Sequence, residues 1–290
     1  RQSGKTTACR KIFDSLPYVN LENPENRAFA VDDPNGFLDS YLDGAVIDEF
    51  QRAPELTSYV QPRVDEPAFK GTFILTGSEN LRVRDTVSQS LAGRSAVVEL
   101  LPFSYPEIAV VAGDMSTDEL VYRGFYPRIY DCGLEPARGY ADYVATYVER
   151  DLRRLSLIRD LSLFQTFLGL CAGRTGQIVN LEGLGNDTGV SQPTARDWLT
   201  LLEASYIVFR LPPFHANISK RLIKSPKLYF YDVGLAAHLL GIRNPEQVRT
   251  HPLRGMLFEN LVVVETLKHF LNRGWRLRPY FYRDSNGNEV

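Results

Sequence analysis

Cysteine is scarce in this chain of 290 residues: Cys9, Cys132 and Cys171 are far apart and odd in number. A disulfide framework needs paired cysteines and a zinc site needs closely spaced ligands, so the pattern predicts reduced thiols in a cytosolic protein. No apolar run approaches the roughly 18–20 residues that cross a bilayer, and the N-terminus lacks a signal-peptide pattern. The sequence therefore predicts a cytoplasmic protein without a membrane partner.

A large excess of one charge is missing as well, because 33 basic and 35 acidic residues leave a net charge of −2. Bulk electrostatics therefore do not mark a nucleic-acid-binding protein. The segment 204–231 differs, since it carries basic residues and no acidic one: Arg210, Lys220, Arg221, Lys224 and Lys227. This basic stripe is either a surface for phosphate groups or a solvated positive face.

Four short apolar runs in the first hundred residues indicate the fold of the N-terminal part. Residues 18–21, 45–47, 73–75 and 96–101 are bounded by Gly, Pro, Asp or Asn, and segments long enough for helices separate them. Short buried strands that alternate with helices are typical of a parallel α/β sheet. Since the sequence begins inside a motif and ends in a predicted strand, we expect both termini to continue in the complete polypeptide.

The sequence QSGKTT at residues 2–7 matches the end of the P-loop motif G-x-x-x-x-G-K-[ST], whose first glycine would lie before the first residue. Gly4 lets backbone amides approach phosphate oxygens, and the helix that starts near Lys5 directs its positive end towards them. Lys5 would reach the β- and γ-phosphates, and the Thr6 hydroxyl would bind Mg²⁺. Thr7 completes this predicted ATP-binding loop.

The segment AVIDE at residues 45–49 is an apolar strand that ends in two acids. Unpaired carboxylates are costly at the end of a buried strand, which favours a functional reason for them over a solvated pair in a loop. Asp48 would hold Mg²⁺, mostly through water, and Glu49 would activate the attacking water as a general base. Together with the P-loop, these acids predict an ATPase that uses Mg²⁺.

Three further polar residues each allow two interpretations. Ser78 and Asn80 follow the strand at residues 72–76 and could contact the γ-phosphate or the attacking water, or could cap a helix instead. Arg94 precedes the last strand and could complete a neighbouring subunit's site as an arginine finger. It could equally be an ordinary surface arginine. A finger would make hydrolysis depend on self-association.

Helical patterns dominate after Pro102, and residues 102–163 are predicted to form a lid or connector. A helix, a shorter helix, a turn, a third helix capped by Ser191 and two strands are then predicted at residues 164–172, 181–186, 188–190, 191–202, 206–211 and 227–231. A helix–turn–helix followed by a two-stranded ribbon is the outline of a winged helix.

The predicted winged helix contains four candidate DNA-contacting residues. Arg196 on the predicted helix at residues 191–202 could face a DNA groove, while Lys220, Arg221 and Lys224 near the ribbon suit phosphate better than base edges. Lys227 belongs to the same basic group. Winged helices also bind proteins or pack structurally, and the sequence leaves both alternatives open.

These elements together resemble AAA+ ATPases. More narrowly, the chain resembles a bacterial and archaeal group that joins the ATPase to a winged helix and a C-terminal nuclease-like domain. The matching stretches are QSGKTT (2–7), VIDEFQRAP (46–54), FILTGSEN (73–80), SLAGR (90–94), PFSYPE (102–107), GFYPR (124–128), YVERDL (147–152), SPKLYFYDVGL (225–235) and GMLFENL (255–261).

This resemblance implies an α/β P-loop NTPase sheet of AAA+ type at residues 1–105 and a helical lid at 106–163. It further implies a winged helix at 164–232 and a partial restriction-endonuclease-like α/β domain at 233–290. Such a nuclease would bind metal through a helix glutamate, which here would be Glu259 or Glu265. Both could instead be ordinary residues of a helix surface.

Three functions follow as hypotheses. The first is an ATPase whose nucleotide state switches a DNA- or protein-binding module. The second is a non-enzymatic nucleic-acid-binding regulator, and the third is a nuclease controlled by ATP. The complete set of hydrolytic residues favours the first.

Overall fold

A computed structural model describes residues 2–77, 91, 93–149, 158, 160–214, 225–275 and 279–283. Its internal contacts divide the chain into an N-terminal unit, Ser3–Glu99, and a C-terminal unit, Leu100–Val290. The division lies close to the predicted end of the ATPase domain at residue 105. The finer division of residues 106–290 into three domains stays a prediction.

The N-terminal unit contains a parallel sheet with strand order β1-β2-β3. In chain order its elements are α1 (Lys5–Ile12), β1 (Tyr18–Asn20), α2 (Pro24–Asp32), α3 (Pro34–Asp39), β2 (Gly44–Asp48), two 3-10 turns (Phe50–Arg52 and Pro54–Leu56), α4 (Thr57–Asp65) and β3 (Thr72–Leu75). The parallel ladder pairs Asn20 with Asp48 and Ile47 with Leu75. The predicted α/β class is thereby confirmed for this unit.

Local sequence explains where these helices begin. Asn23 and Asp33 are N-caps whose side chains accept hydrogen bonds from the amides of Glu25 and Gly36, and a proline follows each cap. Every residue of β2 is buried, as expected for a strand covered on both faces. The central strand β2 therefore runs through the core and ends at Asp48, at the carboxyl end of the sheet.

The predicted strand at residues 96–101 is wrong. Residues 95–100 form no ladder with any described residue, and they are largely exposed, with Val98 at 81%. A strand forms only where a neighbouring strand supplies backbone hydrogen-bond partners, and none of the described strands lies beside this segment. The high β propensity of residues 96–101 was therefore not sufficient to form a strand.

The C-terminal unit is mainly helical. Its helices are α5 (Tyr105–Ala112), α6 (Thr117–Arg123), α7 (Pro127–Asp131), α8 (Pro136–Tyr143) with a π-helical extension (Val144–Glu149), α9 (Leu161–Gly173), α10 (Leu181–Thr188), α11 (Gln192–Ala204), α12 (Val233–Leu239), α13 (Pro245–Thr250) and α14 (Arg254–Leu271); its strands are β4 (Val208–Leu211) and β5 (Lys227–Phe230). One hydrophobic core runs through it from Ile108 to Leu261. The predicted order of helix, turn, helix and ribbon is present, with Ser191 as the N-cap of α11.

The strands β4 and β5 pair in an antiparallel ribbon, and all of their residues except the exposed Arg210 are buried. Val208 and Phe230 belong to the main core, whereas Phe209 and Tyr229 form a second cluster with Val264 of α14. The sequence predicts a further strand at residues 278–283, and its described residues contribute an isolated bridge between Phe281 and Pro213. The described part of the ribbon is therefore mainly a core element, with Arg210 as its exposed residue.

Two motifs of the resemblance meet in a buried polar junction. Asp232 is 1% exposed and accepts hydrogen bonds from the Tyr140 hydroxyl at 2.6 Å and from the amides of Phe125 and Leu235 at 2.7 and 2.8 Å. Burial raises the pKa of this carboxyl, and the hydrogen bonds oppose that effect. Gly124 lies against the same hydroxyl, where no side chain fits. The motifs GFYPR and YDVGL thus stabilise the fold of this unit.

A buried lysine forms a second polar junction. Lys268 is fully buried, and its ammonium donates to the Phe103 carbonyl and to Glu265 at 2.7 Å each and lies 3.9 Å from the Phe125 ring centroid. Burial lowers the pKa of this ammonium, while Glu265 acts in the opposite direction.

Among the described residues, no helix combines the length and apolar character that a membrane span requires.

Candidate nucleotide and magnesium site

Asp48 is the centre of the candidate site. It ends β2, is 4% exposed, and accepts hydrogen bonds on both carboxylate oxygens. Oδ2 accepts from the hydroxyls of Thr6 and Tyr18, each at 2.8 Å. Oδ1 accepts from the Thr76 hydroxyl and, at 3.0 Å, from the amide of Glu49. The structure therefore brings the predicted Thr6 and Asp48 into direct contact.

The topology explains why these side chains meet. Leu75 pairs with Ile47, so Thr76 follows β3 at the level of Asp48. Tyr18 lies two residues before Asn20, the partner of Asp48, and alternate residues of a strand share a face of the sheet. Carboxyl ends of parallel strands are where α/β proteins place ligands.

The electrostatics keep Asp48 ionised. Burial alone would raise the pKa of its carboxyl, but the hydrogen bonds from Thr76, Tyr18, Thr6 and the Glu49 amide outweigh burial and lower it. Burial and the bond to Asp48 raise the pKa of the Tyr18 phenol to about 12, so the phenol stays a donor. At neutral pH the site contains a full negative charge, as a cation site requires.

The P-loop residues surround the N-terminus of α1. Gly4 is its N-cap with a left-handed backbone (φ 83°), and Lys5 is its first residue. The buried Ser3 hydroxyl has no hydrogen-bond partner among the described residues, an arrangement that suits an external acceptor such as phosphate. Thr7 is exposed on the first turn. Backbone amides at a helix N-terminus attract anions, so the loop fits a phosphate group.

Glu49 follows Asp48 with a left-handed backbone, φ 55° and ψ 38°, which is uncommon for a residue with a β-carbon. Its carboxylate accepts a hydrogen bond from the Gln51 side-chain amide at 2.6 Å. Such conformations persist only where the surrounding structure enforces them, and they are concentrated at functional sites. The turn directs Glu49 away from the straight path of β2.

The donor set fits Mg²⁺. Thr6 and Asp48 offer a hydroxyl and a carboxylate, the hard oxygen ligands that this cation prefers. Across the described residues, histidine, cysteine and acidic side chains form no group of three that could enclose a metal. Where Mg²⁺ is bound with nucleotide phosphates, few protein groups contact it, and phosphates and water are the remaining ligands.

Three other predicted site residues are separate from this cluster or outside the described residues. Arg94 donates to Asp65 at the end of α4 at 2.6 Å, and its side chain is 38% exposed. Helix α4 follows β2 and leads back to the start of β3, so this ion pair lies towards the amino ends of the strands. Ser78 and Asn80 lie outside the described residues.

The structure corrects part of the basic stripe. Arg210 donates twice to Glu203, both at 2.6 Å, and the 5% exposed Lys227 donates to Glu259 at 3.0 Å. Lys227 is therefore unsuited to a phosphate surface, because its charge is buried in an internal ion pair. Arg196 is exposed on α11, and Lys220, Arg221 and Lys224 lie outside the described residues.

The two glutamates proposed for a nuclease have internal partners. Glu259 also accepts from the Tyr229 hydroxyl at 2.6 Å, which ties α14 to β5. Glu265 accepts from the amide of Tyr105 at 2.6 Å and pairs with Lys268. Both acids therefore hold helix α14 in place, a role beyond that of ordinary surface residues.

Two members of the site, Thr76 and Tyr18, are absent from the sequence prediction. The polar end of the third strand was the right signal for Thr76, but strand register, which the sequence does not fix, places its hydroxyl on Asp48. In the sequence, no feature distinguishes Tyr18 from an ordinary half-buried tyrosine of a strand. Its hydroxyl becomes a site group only when β1 is paired beside β2.

Comparisons with known proteins agree with this geometry. Residues 1–109 match the family model of an AAA domain, and residues 115–246 match a domain of unknown function (DUF8612). The uncharacterized proteins Rv2008c of Mycobacterium tuberculosis and Mb2031c of Mycobacterium bovis are each 33% identical to the chain over 267 residues.

That alignment covers 91% of this chain and 59% of each relative, so the chain spans about three fifths of the length of the curated relatives it matches. No solved structure matches the chain. The AAA match and the parallel sheet together support an AAA-type, nucleotide-binding ATPase domain in the N-terminal part of the chain.

Proposed function

We propose that the N-terminal unit binds ATP with Mg²⁺ and hydrolyses its terminal phosphate. The observation that carries this proposal is the 2.8 Å contact between Thr6 and Asp48 at the carboxyl end of a buried parallel strand. The P-loop threonine and the strand-end aspartate are the two side chains that hold Mg²⁺ in P-loop ATPases. Their contact in this chain supports one site built from two distant sequence motifs.

Each residue of the loop has a distinct task in this proposal. The amides after Gly4 and the N-terminus of α1 bind phosphate oxygens, and Lys5 neutralises the β- and γ-phosphates. Thr6 and Asp48 hold Mg²⁺, which when bound supplies positive charge to the phosphates. Asp48 keeps its negative charge at neutral pH because four hydrogen bonds stabilise the carboxylate.

Glu49 is the proposed general base. It follows Asp48 directly, and its carboxylate accepts the proton that the attacking water loses as the bond to phosphorus forms. The Gln51 side-chain amide donates a hydrogen bond to that carboxylate at 2.6 Å. This hydrogen bond from Gln51 therefore sets the resting position of the proposed base.

We further propose that the nucleotide state controls a winged-helix interaction module at α9–α11 and the ribbon. On α11, Arg196 and Asp197 are both exposed, so this face is balanced in charge. Arg210 and Lys227 of the ribbon are paired with glutamates. These described charges support a protein partner over DNA, which needs an excess of positive charge.

Phosphate release and nucleotide binding test the ATPase proposal. Lys5→Ala should weaken nucleotide binding, whereas Glu49→Gln should retain ATP and lower its hydrolysis by about 10²–10⁴-fold, the usual contribution of a general base. Glu55→Gln removes an exposed glutamate of the neighbouring 3-10 turn and should behave like the parent. Hydrolysis by Glu49→Gln at the parent's rate would contradict the proposed mechanism.

A further inference from the structure

We infer that Tyr18 is a positioning residue of the magnesium site, whose hydroxyl fixes the Asp48 carboxylate in the orientation that binds the metal. This inference rests on the proposed function, because it assigns a task within the same site. No part of the P-loop motif or of the acidic strand end includes Tyr18.

The hydrogen bonds around Asp48 show what Tyr18 contributes. Oδ2 accepts from Tyr18 and Thr6, each at 2.8 Å, while Oδ1 accepts from Thr76 and the Glu49 amide. Two donors on each oxygen prevent the carboxylate from rotating unless several bonds break together. Tyr18 is the donor on Oδ2 that does not also serve as a predicted magnesium ligand.

The position of the Tyr18 hydroxyl is itself fixed. The backbone of Tyr18 pairs with Val46 in the parallel ladder, and the Arg10 guanidinium lies 4.9 Å from the centroid of its ring. Arg10 belongs to α1, the helix that begins at the P-loop. The tyrosine therefore contacts both the helix that supports the phosphate loop and the acid that supports the metal.

Thr6 has two tasks in the loaded site, because its oxygen would bind Mg²⁺ while its hydroxyl hydrogen is still donated to the Asp48 carboxylate. Without the Tyr18 hydroxyl, Thr6 would be the remaining side-chain donor on Oδ2. Groups that orient a metal ligand in this way typically contribute about 10–100-fold to metal affinity. A hydroxyl without this task would affect stability and leave metal affinity unchanged.

Tyr18→Phe tests the inference, with Mn²⁺ as the metal probe and electron paramagnetic resonance as the readout. In the presence of a non-hydrolysable ATP analogue, we expect Mn²⁺ binding to weaken by about 10–100-fold. Metal-free binding of the same analogue should stay within about twofold of the parent, because the phosphate loop is unchanged.

Tyr41→Phe is the matched control. It removes a hydroxyl from a partly buried tyrosine of the same unit whose ring packs on Phe37 at 5.3 Å. We expect it to bind Mn²⁺ like the parent.

Three outcomes would overturn the inference. Mn²⁺ affinity of Tyr18→Phe within twofold of the parent would show that the hydroxyl does not position Asp48. An equal loss of metal-free nucleotide binding, with a lower melting temperature, would show a general structural role. A parent that binds neither Mn²⁺ nor nucleotide would overturn the proposed function as well, which distinguishes the two failures.

Discussion

At the scale of single residues, the motifs of the chain divide into those that serve the candidate site and those that build the C-terminal unit. Asp48 and Thr6 belong to the first kind, since they end a strand and begin a helix at one point. Asp232 and Gly124 belong to the second, because their neighbours are buried groups of the same unit. Motif residues are therefore not all site residues in this protein.

Gly124→Ala should destabilise the chain strongly. Gly124 has φ of +62°, and a β-carbon there would overlap the Tyr140 hydroxyl and approach the Asp232 carboxylate. We expect the free energy of unfolding to fall by roughly 3–5 kcal/mol, which combines overpacking with a left-handed backbone. Urea unfolding followed by tryptophan fluorescence measures this change.

Gly133→Ala is the control for the backbone term alone. Gly133 has a similar φ of +57°, and no described atom would lie within 4 Å of the added methyl group, so a loss of about 1–2 kcal/mol is expected. Equal losses in the two variants would contradict the proposed crowding around Gly124.

At the scale of secondary-structure elements, the position of α11 and the ribbon decides what the proposed module can bind. The described ribbon is buried except at Arg210, and two of the five stripe cations are paired with glutamates. Helix α11 keeps an exposed face that includes Gln192, Arg196 and Thr200. This face is the described part of the module that a partner could reach.

Duplex DNA titrated at several salt concentrations tests the partner of this module. With a protein partner we expect weak DNA binding with little salt dependence, unaffected by Arg196→Ala. Binding that weakens steeply with salt and is lost when Lys220, Arg221 and Lys224 become glutamine would favour DNA instead. Lys11→Gln, an exposed cation of the N-terminal unit, is the control for general charge loss.

At the scale of the whole molecule, Arg94 is the residue whose task depends on assembly. Its ion pair with Asp65 involves side chains that are 38% and 44% exposed, and solvent screening makes exposed pairs weak. Such a weak pair can be exchanged for a neighbouring subunit's phosphate. The sequence-based finger prediction therefore remains compatible with the observed pairing.

Arg94→Ala tests that prediction. If Arg94 is a finger, hydrolysis per chain should rise with protein concentration in the parent and fall by about 10³-fold or more in the variant. Arg52→Ala removes another exposed arginine, paired with Glu22 at 3.8 Å, and should retain the parent's rate. A concentration-independent rate that Arg94→Ala leaves unchanged would identify an ordinary surface arginine.

The sequence by itself determined the α/β class of the N-terminal unit, the loop at Gly4 and Lys5, and the acids that end β2. These features depend on local chemistry: a glycine with positive φ, a helix N-terminus, and an apolar run followed by carboxylates. The same local signals located three helices of the C-terminal unit, α9, α10 and α11, including the cap at Ser191.

Only the tertiary structure decided which side chains complete the site and which charges are available to a partner. Strand register placed Tyr18 and Thr76 on Asp48, and packing of α14 against β5 buried Lys227 with Glu259. Both outcomes depend on pairing between segments about 30 residues apart in sequence. Composition and periodicity describe what a segment prefers, whereas its neighbours determine what its side chains contact.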